Sequence, residues 1–265
     1  MSCEIEGYTL FDKSYGFISF KYHRWLVSVS NIWHEQIGIK MFHIDTKEFI
    51  PFEYLTQVPY HELKHIDFFL DKHNKGFVMD VVNKQYAYTT NFPFNIYEID
   101  GNMITSCIDK NNNKIYIFYS YTDEYQTGIF IFDIQSNSYD IVDDAFFYDK
   151  DISSCVVYGD TILINMNDTI YNYNTMEKLF DLVDITYHNQ DIVIFGNKLL
   201  VTDKKYVNVY DLETHVKEKS IKVKEKCFTY IRYLDVYDND LVIRNSINTS
   251  NISNYIKIIN LLSKI

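Results

Sequence analysis

Phe195-Gly-Asn-Lys-Leu-Leu-Val201, followed by Val207-Asn-Val-Tyr-Asp-Leu-Glu-Thr214, decides how this chain folds. Gly196 and Asn197 are residue types that take positive φ in a tight turn, and strand formers flank them, so the first segment predicts a β-hairpin. The second segment alternates apolar and polar residues before Asp-Leu-Glu-Thr, which predicts a half-buried strand entering another turn. Working outward, the hairpin pattern returns at Tyr22-His-Arg-Trp-Leu-Val27, Lys72-His-Asn-Lys-Gly-Phe-Val-Met79, Asn111-Asn-Asn-Lys-Ile-Tyr-Ile117, Tyr158-Gly-Asp-Thr-Ile-Leu-Ile164 and Tyr237-Asp-Asn-Asp-Leu-Val-Ile243. The alternating strand follows each one, at 39–46, 94–100, 129–136, 169–175 and 255–263. Anchored at Trp25, Phe77, Ile115, Ile162, Leu199 and Leu241, the six copies are spaced by 52, 38, 47, 37 and 42 residues. A period of that length accommodates a unit of four short strands.

Within a unit, one strand enters the hairpin, a second leaves it, the alternating strand is third, and a short strand such as 48–53 or 217–223 is fourth. The last third strand reaches Ile265 with no residues left for a fourth, while Glu4–Phe11 precedes the first unit without a hairpin of its own. The expectation is therefore an all-β chain: a six-bladed β-propeller of four-stranded antiparallel blades, its ring closed by an N-terminal strand over 4–11, which leaves no exposed sheet edge. The blades fall at about 16–54, 63–99, 102–142, 151–182, 188–223 and 228–265, in one domain covering 1–265. The third-strand phrases at 129–136 and 207–214 are similar to the strand that ends in Trp-Asp, and through them nearly the whole chain resembles the WD40-like or kelch-like β-propeller superfamily. It departs from the WD40 pattern in having no Trp-Asp and no Gly-His dipeptide. A β-sandwich with coincidental spacing is the competing architecture.

Charge narrows the function. The chain has 25 Lys plus Arg against 36 Asp plus Glu, a net charge of −11, and its only arginines are Arg24, Arg232 and Arg244. Binding to nucleic acid is driven by clustered positive charge, so no nucleic-acid partner is expected. The 24 Tyr and 19 Phe against 8 Gly and 3 Pro favour strands. The surplus of Asn, Ile, Lys, Tyr and Phe is that of an AT-rich genome, as in many parasites, large DNA viruses and some bacteria. Met1–Gly7 carries acids rather than a basic leader, and no apolar run approaches 18 residues, so a cytoplasmic chain without membrane insertion is expected. Cys3, Cys107, Cys155 and Cys227 are far apart and read as scattered reduced thiols rather than a disulfide framework.

Three strings invite a chemical reading. His61-Glu-Leu-Lys-His65 is an H-E-x-x-H string; in zinc peptidases His61 and His65 would ligate the metal and Glu62 would serve as base. The match of 70–74 with 108–112 instead makes the residues just after His65 an inner strand, which conflicts with a long ligand-bearing helix. The acids over 140–151 lack the spacing of a calcium loop and read as a connection between blades. Lys217–Lys226 alternates Lys and Glu around Ile221 and Val223, the pattern of a protected outer strand. No nucleotide or serine-hydrolase motif is present.

What remains is a surface. The loops and connections expected on one face carry Trp33, His34, Tyr121, Tyr125, Phe146, Phe147 and Tyr148, with Asp123, Glu124, Asp143 and Asp144 beside them. Aromatic residues in connections are candidate anchors for a partner, unless they tuck under their own loops. The expected function is a non-enzymatic protein-interaction scaffold with no cofactor, and a basic protein partner suits its charge. The alternatives are an enzyme on the same ring, either a zinc-dependent hydrolase at the HELKH string or a lyase or glycosidase using channel-facing acids, and a structural subunit of a viral or parasite assembly.

Overall fold

The computed structural model describes residues 8–12, 18–22, 25–30, 38–43, 45–46, 48–54, 56–58, 62, 68–72, 75–80, 83, 85–88, 101–121, 127–133, 135–136, 138–142, 144–148, 150–186, 190–223, 231, 233–246 and 253–261. The chain divides into two compact units, Met1–Tyr54 with Phe180–Ile265, and Leu55–Leu179. Both consist of four-stranded, mostly antiparallel sheets in which most strands pair with their neighbours in sequence.

Strand β1 (Tyr8–Asp12) opens the first unit, followed by a sheet of β2 (Ile18–Tyr22), β3 (Trp25–Ser30), β4 (Gly38–His43) and β5 (Phe49–Tyr54). The second unit begins with β6 (Thr56–Gln57), β7 (Phe68–Lys72), β8 (Lys75–Asp80) and β9 (Gln85–Tyr88). It continues with β10 (Gly101–Asp109), β11 (Lys114–Tyr121), β12 (Thr127–Asp133) and β13 (Ser138–Val142), then β14 (Ile152–Tyr158), β15 (Thr161–Met166), β16 (Thr169–Asn172) and β17 (Glu177–Asp181). The first unit resumes with β18 (Ile192–Phe195), β19 (Lys198–Asp203), β20 (Tyr206–Asp211) and β21 (Lys217–Lys222). Its last sheet holds β22 (Tyr233–Tyr237), β23 (Asp240–Ser246) and β24 (Ser253–Asn260), with β1 on the outside of β24, Thr9 opposite Tyr255. In the first unit β18 and β2 lie against β22; in the second, β7 and β14 lie against β10. Leading strands thus gather along one side of their sheets.

Turn chemistry accounts for the hairpins. Tyr22 closes on Trp25, Lys72 on Lys75, Asp109 on Lys114, Tyr158 on Thr161, Phe195 on Lys198 and Tyr237 on Asp240. Gly159 and Gly196, both at φ 59°, take the left-handed position in two of these turns, and Asn113 (53°) and Asp238 (49°) take it in two others. Asn and Asp are the L-residues that adopt this region at least cost, because their side chains satisfy nearby backbone groups. Between β15 and β16 both turn residues, Asn167 and Asp168, have positive φ, the backbone that matches strand twist in a two-residue hairpin.

Two expectations change. The outer position on β9 is held by β6, which comes from before the hairpin and runs parallel to β9, so this sheet is not the purely antiparallel unit expected. A strand arriving from the N-terminal side, rather than turning back from β9, has that direction. The strand placed third in this sheet is β9 at Gln85–Tyr88, and the alternating segment expected at 94–100 lies outside the described residues.

Each unit has its own apolar core. In the first, Leu200, Val207, Val209, Ile231, Leu241, Ile243 and Leu261 are fully sealed from solvent. In the second, Phe118, Ile129, Phe147, Ile164 and Met166 are. Each such side chain contributes about 1.5–3 kcal/mol relative to exposure. Polar ties join neighbouring sheets: Asp191, ahead of β18, accepts from the backbone N–H of Leu234 in β22 at 2.7 Å and from that of Ile192 at 3.1 Å. Close packing is equally specific at Gly128 in β12, where any Cβ would overlap the buried Tyr119 ring.

Candidate functional site

Among the described residues, the strongest candidate surface is the connection from β13 to β14. Its shape follows from Asp144, whose extended backbone (φ −115°, ψ 125°) and carboxylate cap a short 3-10 turn at Ala145–Phe147. The Asp144 carboxylate accepts from the Phe146 N–H at 2.9 Å, and its carbonyl accepts from the Phe147 N–H at 2.9 Å. The turn then runs into a reciprocal pair: the Asp151 N–H donates to the Asn167 side chain, and the Asn167 N–H to the Asp151 carbonyl, each at 2.9 Å. The connection is thereby fixed at both ends.

The three adjacent rings have different environments. Phe147 has 0% exposure and packs at right-angled or tilted geometry on Phe118 (6.5 Å), Phe146 (5.2 Å) and Tyr173 (6.4 Å). Its ring is a core anchor and cannot meet a partner, a correction to its place among the surface candidates. Phe146 and Tyr148 are half-buried. Phe146 stands edge-on to Tyr171 at 5.6 Å, and the Lys150 ammonium lies 3.3 Å over the Phe146 ring and 5.3 Å from that of Tyr171. Burial pushes the Lys150 pKa down, opposed by the negative charge of Asp144. Burial also pushes the Tyr173 phenol up to about 12, with smaller contributions from Tyr116 and Asp144. Tyr173 is therefore a neutral ring packed against Phe147 at any physiological pH.

Lys150, Tyr171 and Tyr173 were not legible as part of this surface. The alternation Tyr171-Asn-Tyr173 read as blade strand, and nothing in it locates the connection that it supports. Of the other expected surface residues, Tyr121 ends β11, and Trp33, His34 and Tyr125 lie outside the described residues. Asp144 is half-buried; Asp123, Glu124 and Asp143 also lie outside. In the HELKH string, Glu62 is exposed, and His61 and His65 fall outside the described residues. Among the described residues no group of three or more His, Cys, Asp or Glu side chains is placed to hold a metal ion.

The aspartates that end third strands have a structural task. Asp211 accepts from the N–H groups of Glu213 and Thr214 at 2.9 and 2.7 Å and from the Thr214 hydroxyl at 3.0 Å. It also pairs with Lys198, which reaches Glu218 at 2.6 Å. Asp133 caps Ser136 at 2.8 Å, and Asn172 serves Asn174 and Thr175 in the same way. These side chains hold turns together.

The thiols are the second departure from expectation. Cys107 in β10 and Cys155 in β14, read as scattered, come together in one apolar cluster where the two strands pack.

The four-stranded sheets, with leading strands packed side by side within each unit, define an all-β chain of the β-propeller class. No family model matches its sequence, and no curated protein does. Its fold is similar to that of a chain in a crystal structure of a nidogen/laminin complex, with a TM-score of 0.50, 10% identity, and coverage of 75% of this chain and 76% of that one. No helix among the described residues is long and apolar enough to cross a membrane.

Proposed function

We propose that this chain is a protein-docking platform: a single six-bladed propeller whose ring is closed by β1 on β24, using the β13–β14 connection and neighbouring loops to hold a protein partner. The pairing of β1 with β24 and the sixfold repeat support the ring. The observation that carries the docking reading is the capped connection itself, in which the buried Phe147 fixes the backbone while Phe146 and Tyr148 stay partly open. Pre-set aromatic groups of this kind supply contact area with little ordering cost on binding. The neighbouring fold in the nidogen/laminin complex belongs to a protein that meets another protein, which agrees with this use. A net charge of −11 favours a basic partner through steering of encounter.

The test is affinity for a partner identified by capture on the full chain and then purified. Phe146→Ala and Tyr148→Ala should each weaken binding by tenfold or more, about 1.4 kcal/mol, without loss of the folded state. Unchanged affinity in both variants would refute docking through this connection. Stoichiometric zinc in protein purified without chelators, lost in His61→Ala, would favour the hydrolase reading instead.

A further inference from the structure

We propose that Cys107 and Cys155 are a site of reversible disulfide formation that joins the leading strands of two neighbouring sheets. The inference stands independently of any docking role. The two strands lie side by side, and Thr105 and Cys107, two residues apart, share one face of β10, the face turned toward Cys155. The Thr105 hydroxyl of β10 also reaches the Cys155 sulfur, at 3.7 Å. Both cysteines belong to the apolar cluster that contains Phe147. Cys107 is half-buried and Cys155 is 9% exposed, so Cys107 is the sulfur that a small reagent meets first. Interaction with Cys155 and burial raise the Cys107 pKa, which keeps this sulfur a thiol at neutral pH.

The oxidant class is a low-molecular-weight disulfide. Cys107 gives its proton to solvent, and the thiolate attacks one sulfur of the reagent; a mixed disulfide forms and one thiolate leaves. Cys155 then loses its proton and attacks the Cys107 sulfur, expelling the second thiolate. The protein is oxidised by two electrons, and the reagent is reduced to two thiols. The resulting link closes the chain from 107 to 155, a span that contains the whole β11–β13 segment and the capped connection. A cross-link over so long a loop restricts the unfolded chain and raises the melting temperature of a native state that accepts it.

The reduced full chain is incubated with oxidised glutathione, quenched in acid, digested without reductant and analysed by mass spectrometry. The expected product is a peptide pair linking Cys107 to Cys155, two hydrogens lighter than the sum of its parts, reversed by dithiothreitol and accompanied by a higher melting temperature. Cys107→Ser should abolish the pair, and Cys155→Ser should stop the reaction at a glutathione adduct on Cys107. Links from either residue to Cys3 or Cys227, glutathione adducts alone on the parent protein, or two thiols still free after reaction would each overturn the proposal.

Discussion

At the scale of single residues, Asp211 illustrates how one carboxylate can serve a turn and a strand pair together. The Lys198 ammonium and the Thr214 and Glu213 N–H groups hold its pKa far below the usual carboxylate value of 3.8. A group whose folded-state pKa is depressed contributes stability above its unfolded value, and the contribution is lost as pH falls through the folded-state value. Asp211→Asn should therefore lower the melting temperature at pH 7, and the gap from the parent protein should narrow as pH falls below about 4. Thermal melts of both proteins from pH 7 to pH 2 check this; a constant gap would mean that the charge is not what matters. Phe146, Phe147 and Tyr148 carry a related lesson. Their presence in a connection was legible, but which ring turns inward depends on the Asp144 cap and on packing against Phe118 and Tyr173, and neither is encoded in the three residues themselves.

At the scale of elements, the hairpins were legible because their turns have a strict backbone requirement. Gly196 sits at φ 59° with open space where a Cβ would go, so only backbone strain opposes a side chain there. Gly196→Val should cost about 1–2 kcal/mol, while Gly196→Asn should be close to neutral, since Asp238 already occupies the same region in the β22–β23 turn. Urea unfolding of both variants distinguishes strain from crowding: equal losses would contradict the turn account. The β6–β9 sheet was less legible for the converse reason. Gln85–Tyr88 is four residues long and offers too few alternations to register as a strand, and a parallel partner two residues long, Thr56–Gln57, has no local signature at all. The proximity of Cys107 and Cys155 was not legible because it depends on the packing of β10 against β14, which spacing along the chain does not encode.

At the scale of the whole molecule, the repeat predicts six blades, and its regularity comes from Asn, Asp and aromatic residues in places where Gly and Trp are usual. Ring closure is the claim on which the platform reading rests, because a closed ring leaves no sheet edge to pair with other chains and holds its loops at fixed positions. The pairing of β1 with β24 places Thr9 opposite Tyr255. The direct measurement is disulfide trapping in a Thr9→Cys/Tyr255→Cys variant, read by mass spectrometry of the linked peptide after mild oxidation of folded protein. The account predicts a link between positions 9 and 255 in most molecules, with a raised melting temperature that reductant restores to the parent value. Two freely alkylated thiols at these positions in a chain that retains its β circular dichroism would contradict closure of the ring by its N-terminal strand.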